Sequence, residues 1–253
     1  MQSEGQHTLM ASGDLASDQA AARRIAECRA QAGLYRLLGR CLEDEVDDEL
    51  LDLLRGELRA PLAEVGMTLD EAFFQASPQA LLETLAVEFT GLFVAPGGVS
   101  PYASVFETGR MFQEPADRAA TAYRLAGWQY QRRLSGEFAD HIGTMLAFMG
   151  MLSDAEAAAL EEGNQALADT WRQHWNTFLV QQLGRWAPGW CRRAAEATLH
   201  GFYNELLALT EKVLWDDLAA CTDRRRLKEL AELNRREPVK PKYDADFRKA
   251  SGL

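Results

Sequence analysis

The feature that most constrains this chain is the spacing of its apolar residues, which recur in steps of three and four almost from end to end. Ile25, Cys28, Ala32, Tyr35, Leu38 and Leu42 form one such stripe, starting from Asp18. Leu50, Leu51, Leu54, Leu58 and Leu62 form the next, with Pro61 near its end. These steps place side chains on one face of an α-helix. Ser77-Pro78 opens a third helix as a cap residue followed by proline in the first turn, and Leu81, Leu82, Leu85, Phe89, Leu92 and Phe93 stripe it. Glu114-Pro115 opens another, carrying Ala119, Tyr123, Ala126 and Tyr130. Ile142, Met145, Leu146, Met149 and Leu152 belong to a segment apolar nearly all round, which is expected at the centre of the fold. Ser153 to Glu156 has capping-box spacing and predicts a fresh helix start, ahead of Leu160, Leu167, Trp171, Trp175 and Phe178. After a break at Trp186-Ala187-Pro188-Gly189-Trp190, one long helix is expected along Leu199, Phe202, Leu206, Leu209 and Val213. No stretch alternates with period two, so the fold class is all-α. No fixed-period repeat is present, which argues against a solenoid.

The domain organisation follows from where this pattern holds. Residues 1–17 are rich in Ser, Gly, Gln and Asp and are expected to be mobile; residues 18–218 form one large helical domain of about ten helices; residues 219–253 form a charged helix and tail. With 253 residues the chain can bury a substantial core. Its formal charge of -11 argues against nucleic acid as a partner and favours basic peptides. Cys28, Cys41, Cys191 and Cys221 are scattered, with no CxxC pair, and are read as reduced thiols. No secretory signal or membrane-length apolar run is present, which places the protein in the cytoplasm without stable membrane insertion.

Two irregular stretches stand out against the helical background. The first, Leu92 to Phe106, holds Pro96, Gly97, Gly98 and Pro101, yet is rich in Phe, Val and Tyr. Prolines and adjacent glycines end a helix. The apolar residues serve either as a plug for the core or as the floor or rim of a binding groove. The second stretch, Glu137-Phe138-Ala139-Asp140-His141, places an acid beside an imidazole where the apolar helix begins. Asp140 is expected to cap that helix by accepting a backbone N–H. Motifs for a serine or cysteine nucleophile, a metalloprotease, a di-iron helix pair or a phosphate loop are absent. A hydrolase or nucleotide-processing enzyme built on Asp140 and His141 therefore lacks its partners. The Arg224–Arg226 run reads as a solvated helix face.

Taken together, these stretches resemble the TorD/DmsD family of cytoplasmic chaperones for molybdoenzymes. The likeness rests on Leu92-Phe93, Pro96 and Pro101-Tyr102-Ala103-Ser104-Val105-Phe106, then Asp140-His141 about thirty residues on. The family's Glu-Pro-x-Asp-His carries Phe138 in place of proline here. Tyr35-Arg36-Leu37-Leu38 is similar to the family's Tyr-x-x-Leu in the first helix, and the likeness extends over about residues 20–218. It implies an all-helical binding protein, not an enzyme and with no cofactor of its own, that takes the twin-arginine leader of an apo-molybdoenzyme catalytic subunit before molybdopterin insertion and export. On that reading the peptide site comprises Tyr35, Pro101, Tyr102, Ser104, Val105, Phe106, Glu137, Asp140 and His141. Asp140, with Glu137, would accept the arginines, and Tyr102, Val105 and Phe106 would face the apolar run. An assembly chaperone of the nitrate-reductase type, serving a non-exported subunit, is the alternative. The resemblance leaves open a homodimer and a weak contact with guanine nucleotide or with the molybdopterin cofactor.

Overall fold

The computed structural model describes residues 4–131 and 138–237, with side chains from Gln19 onward. Among these residues it contains α1 (Glu4–Glu43), α2 (Asp48–Arg55), α3 (Arg59–Val65), α4 (Glu71–Gln75), α5 (Pro78–Phe89), α6 (Ala103–Thr108), α7 (Glu114–Leu125), α8 (Ile142–Glu161), α9 (Gln165–Gln181), α10 (Ala187–Ala197), α11 (Gly201–Cys221) and α12 (Arg224–Asn234). A π-helical turn, Thr90–Val94, extends α5, and a 3-10 turn, Leu183–Arg185, precedes α10. The all-α expectation holds, with one extended contact, an isolated antiparallel bridge between Tyr102 and His141. The Glu4 start of α1 lies well before the apolar stripe that begins near Ile25.

The centre of the molecule is the pair α1 and α8. Helix α8 is apolar nearly all round and buries Ile142, Met145, Leu146, Met149 and Leu152. Its approach to α1 depends on glycine. A Cβ added at Gly143 would lie 2.6 Å from the Cβ of Glu43 and 2.8 Å from the carbonyl of Gly39. One added at Gly39 would lie 2.8 Å from the carbonyl of Gly143, and one at Gly150 would lie 3.0 Å from the carbonyl of Ala32. The two backbones therefore touch where side chains would otherwise hold them apart. Ion pairs close the edges of this seam. Glu156, almost fully buried, meets Arg24 at 2.8 Å and Arg172 of α9 at 2.7 Å, and Arg29 reaches Asp154 and Glu161 at 2.8 and 2.9 Å. Arg36 also binds Asp154.

Several predicted boundaries move. Ser153 does not restart a helix, because α8 runs unbroken from Ile142 to Glu161. Ser153 is buried, and its hydroxyl donates to the Met149 carbonyl one turn back at 3.2 Å, a mid-helix alternative to capping. The break comes at Glu162-Gly163, where Gly163 takes φ +71° and Asn164 caps α9. The stripe from Leu50 to Leu62 is two helices, interrupted at Gly56. Leu199 is 97% exposed and lies between α10 and α11 instead of in a helical stripe.

The charged C-terminal region packs onto the core. Leu230 of α12 is fully buried. Asn234 accepts from the Gly189 N–H at 2.7 Å and donates to the Gly184 carbonyl at 2.8 Å. A Cβ at Gly189 would lie 2.4 Å from the Asn234 carbonyl, so α10 and α12 meet backbone to backbone. Arg225 projects from this helix into solvent, as the sequence suggests.

Glycine substitutions separate close packing from simple propensity. Gly143→Ala should destabilise the protein by about 1–3 kcal/mol through overpacking against a rigid backbone. Gly33→Ala lies in the same seam helix α1, but its Cβ would meet nothing within 4 Å. It should stabilise by about 0.5–1 kcal/mol, because alanine favours the helix. Equilibrium urea unfolding of the two variants checks both signs.

Candidate binding site

The bridge between Tyr102 and His141 brings the two irregular stretches together. Ala103 donates its N–H to the Asp140 carbonyl at 3.1 Å, and Ile142 donates to the Pro101 carbonyl at 2.9 Å. The starts of α6 and α8 are thereby fastened side by side. Asp140 is 1% exposed, and its Oδ2 accepts from the Ser104 N–H at 2.7 Å, so it caps α6 and not the helix that follows it. Helix α8 is capped by His141 instead, whose Nδ1 accepts from the Gly143 N–H at 3.1 Å. His200 caps α11 in the same way, through the Phe202 N–H at 3.1 Å. An imidazole acceptor is an uncommon cap, and the acid beside it is the more obvious candidate.

Asp140 has one oxygen to spare. Its Oδ1 is buried and makes no hydrogen bond among the described residues. The turn that holds it is pinned from below by Tyr123, whose hydroxyl donates to the Ala139 carbonyl at 2.6 Å. Burial, together with the Asp140 charge, pushes the Tyr123 phenol well above its usual pKa. Ser104 is buried as well, and its Oγ accepts from the Gln113 N–H at 3.3 Å.

A row of aromatic rings starts at His141, the residue after this buried carboxylate, and runs out to Phe112. His141 meets Tyr102 edge-on with centroids 5.0 Å apart, Tyr102 meets Phe138 at 5.8 Å, and Phe138 meets Phe112 at 3.7 Å. Phe138 therefore gives the position taken by proline in the resembling family a ring in this row. Phe112 escaped the sequence reading. It is 62% exposed and sits at φ +58°. An L-residue pays about 1–2 kcal/mol for that left-handed backbone, so a large apolar side chain displayed there is unusual. No local sequence pattern signals it, because Gly109 three residues upstream is the expected left-handed position in this loop.

The remaining predicted residues divide between this patch and the interior. Val105 is half-buried in α6. Phe106 turns inward against Trp186, with centroids 6.0 Å apart, and so contributes to the core. Tyr35 is fully buried away from the row, donating its hydroxyl to Asp217 of α11 at 2.7 Å and meeting Trp175 edge-on. Glu137 lies outside the described residues. The Leu92–Phe106 stretch plugs the core and also borders a groove. Leu92, Phe93 and Phe106 are buried, while Val94 is 67% exposed. Trp190 Nε1 donates to the Ser100 carbonyl at 2.8 Å and fixes the loop. A groove of about 580 Å³ runs beside it, lined by Val87, Gly91, Gly98, Val99, Leu199 and His200 among others.

Comparison with known proteins supplies the family. A family model described as "Nitrate reductase delta subunit" matches residues 55–192, more than half of the chain. The chaperone protein TorD of Photobacterium profundum is 31% identical over 196 residues, covering 71% of this chain and 88% of that protein. The chain belongs to the TorD/nitrate reductase delta subunit family. TorD of Vibrio vulnificus (strain YJ016) is 34% identical over 129 residues, covering 49% of this chain and 58% of that protein, so the chain spans little more than half of that relative's length. TorD of a Shewanella species is 27% identical over 193 residues, covering 67% of this chain and 89% of that protein. The residues matched by the family model include both irregular stretches and the bridge between them, whereas Tyr35 and α11 fall outside it.

The geometry gives Asp140 a structural duty that any test of binding must respect. Asp140→Ala strands the buried Ser104 N–H and should cost about 1–3 kcal/mol of stability. Asp140→Asn keeps an acceptor and should cost less than half as much. Thermal and urea unfolding of the two variants checks the order.

Proposed function

We propose that this protein is a maturation chaperone that binds the N-terminal leader of a molybdoenzyme catalytic subunit, and that the aromatic row next to Asp140 is where it does so. The observation that carries this reading is the spare Oδ1 of buried Asp140 next in the chain to a contiguous row of rings, His141, Tyr102, Phe138 and Phe112. A guanidinium is the group that suits both features. It stacks on aromatic faces and donates to carboxylate in a charge-assisted pair. A twin-arginine leader offers two such groups followed by an apolar run. Phe112, Tyr102 and half-buried Val105 offer apolar surface beside the carboxylate. The net charge of -11 speeds encounter with a basic segment.

On this reading the chain binds and releases without chemistry, consistent with relatives named chaperones. The cytoplasm is the compartment in which such a leader is met before export. Cys28, Cys41, Cys191 and Cys221 are free thiols, as suits that compartment, and no described helix is long and apolar enough to cross a membrane. A client with no working export signal is the second reading, favoured by the description of the matching family model.

Calorimetric titration with leaders of molybdoenzymes from the same genome tests the proposal. One leader should bind with micromolar affinity, and a Lys-Lys version should bind more weakly, because an ammonium neither stacks nor forms a fork. Phe112→Gly should weaken binding about tenfold, the size of one lost aromatic anchor. The same change relieves a strained backbone, so the melting temperature should hold or rise. Binding unaffected by both Phe112→Gly and Tyr102→Ala would move the leader site elsewhere. A natively folded protein that ignores every exported leader but captures the N-terminus of a non-exported molybdoenzyme would favour the second reading.

A further inference from the structure

Apart from the aromatic row, the molecule carries a second apolar groove, of about 650 Å³, between α1, α3 and α11. Its floor and walls include Leu34 and Leu37 of α1, Leu58 and Pro61 at α3, and Val213 of α11. It shares no residue with the Asp140 site. Leu34, Leu37, Leu58 and Val213 are only partly covered by the core beneath them, and Val65 at the rim is 36% exposed.

Gly33 opens this groove. It sits inside α1, where glycine costs about 0.5–1 kcal/mol relative to alanine. At Gly39, close backbone contact explains the glycine. At Gly33 it does not, because a Cβ there meets nothing within 4 Å. What the missing side chain leaves is room in the groove. Ala30, Gly33, Leu34 and Leu37 follow the i, i+3, i+4, i+7 pattern, so the α1 wall extends about 10 Å, two helical turns.

The rim is acidic. Glu64, Asp216 and Asp217 line the groove, and no lysine or arginine does so among the described residues. Asp217 is committed inward to Tyr35, and Asp216 pairs with Lys212 on the solvent side at 3.1 Å. Glu64 is exposed and makes no ion pair among the described residues. An apolar trough two turns long, edged by carboxylates, is the complement of a helix with one apolar face and basic flanks.

We propose that this groove is a docking site for a basic amphipathic helix of a partner protein. The helix lays apolar side chains between α1, α3 and α11 and turns flanking lysines or arginines towards Glu64 and Asp216. The proposal rests on the reading of the chain as a protein-binding chaperone but uses a different surface from the proposed leader site.

The test uses the full chain and a fluorescein-labelled synthetic helix with leucines at i, i+3, i+4 and i+7 and flanking lysines, followed by anisotropy. A second helix carries glutamates in place of the lysines. The basic helix should bind saturably, more weakly as salt is raised, and the acidic helix should bind at least about tenfold more weakly. Gly33→Trp fills the groove and should weaken binding of the basic helix at least about tenfold, whereas Gly33→Ala should retain it. Glu64→Lys, an exposed change that leaves the core alone, should narrow the preference for the basic helix. Equal binding of both helices, or Gly33→Trp binding as wild type does, would overturn the proposal. The two surfaces are told apart by crossing the experiments: Gly33→Trp should leave leader titrations unchanged, and Phe112→Gly should leave the helix titration unchanged. Loss of helix binding in Phe112→Gly would assign the helix to the aromatic row and sink the groove.

Discussion

The contact between α1 and α8 is the constraint on which the rest of this structure depends. Three glycines, at positions 39, 143 and 150, bring two helix backbones together without intervening side chains. Close approach of this kind maximises dispersion contact but tolerates no added volume, because backbone cannot rotate aside as a side chain can. The ion pairs of Arg24, Arg29 and Arg36 with the acids of α8 then set the longitudinal register of one helix against the other. Glu156 is buried, so its two arginines also neutralise a charge that would otherwise be costly to keep inside.

That seam determines where the candidate binding site can form. Gly143 lies in the first turn of α8, two residues after His141. Docking of α8 onto α1 therefore also places Asp140 and His141, and the bridge to Tyr102 passes the placement on to α6. Glu107 at the next turn of α6 binds Arg118 of α7 and Arg185 before α10, at 2.9 and 3.1 Å, which ties the far side of the site to the core. The aromatic row is thus displayed by a rigid frame although its backbone is irregular. Rigid display of a partly exposed surface limits the entropy lost when a peptide is bound.

The two apolar surfaces differ in a way that bears on selectivity. The row next to Asp140 is built from rings beside one buried carboxylate, which on the proposed reading receives a flat cation. The groove beside Gly33 is built largely from aliphatic side chains with carboxylates at its edge, which on the proposal above receives a helix face with charge at its margins. If both take partners as proposed, two chemically distinct surfaces on one chain discriminate by shape as well as by charge.

The sequence by itself determined the helical class, the central place of α8 and the unusual character of both irregular stretches. These follow from local rules: the period of apolar residues, proline and glycine as helix breakers, and the cap at Ser77 that opens α5. Tertiary structure alone decided what the singled-out residues do. Asp140 stands next to α8 in the chain but caps α6, because the bridge brings the Ser104 N–H within reach. Ser153 has the spacing of a cap but is buried mid-helix, because packing against α1 favours continuing α8. Phe106 and Tyr35 look alike as aromatic candidates in the sequence, yet both face the core, while Phe112 is displayed from a left-handed backbone that no spacing rule anticipates. Periodicity reports which face of an element is apolar. Which partner covers that face, and which acceptor meets which N–H, depends on contacts between residues far apart in the chain.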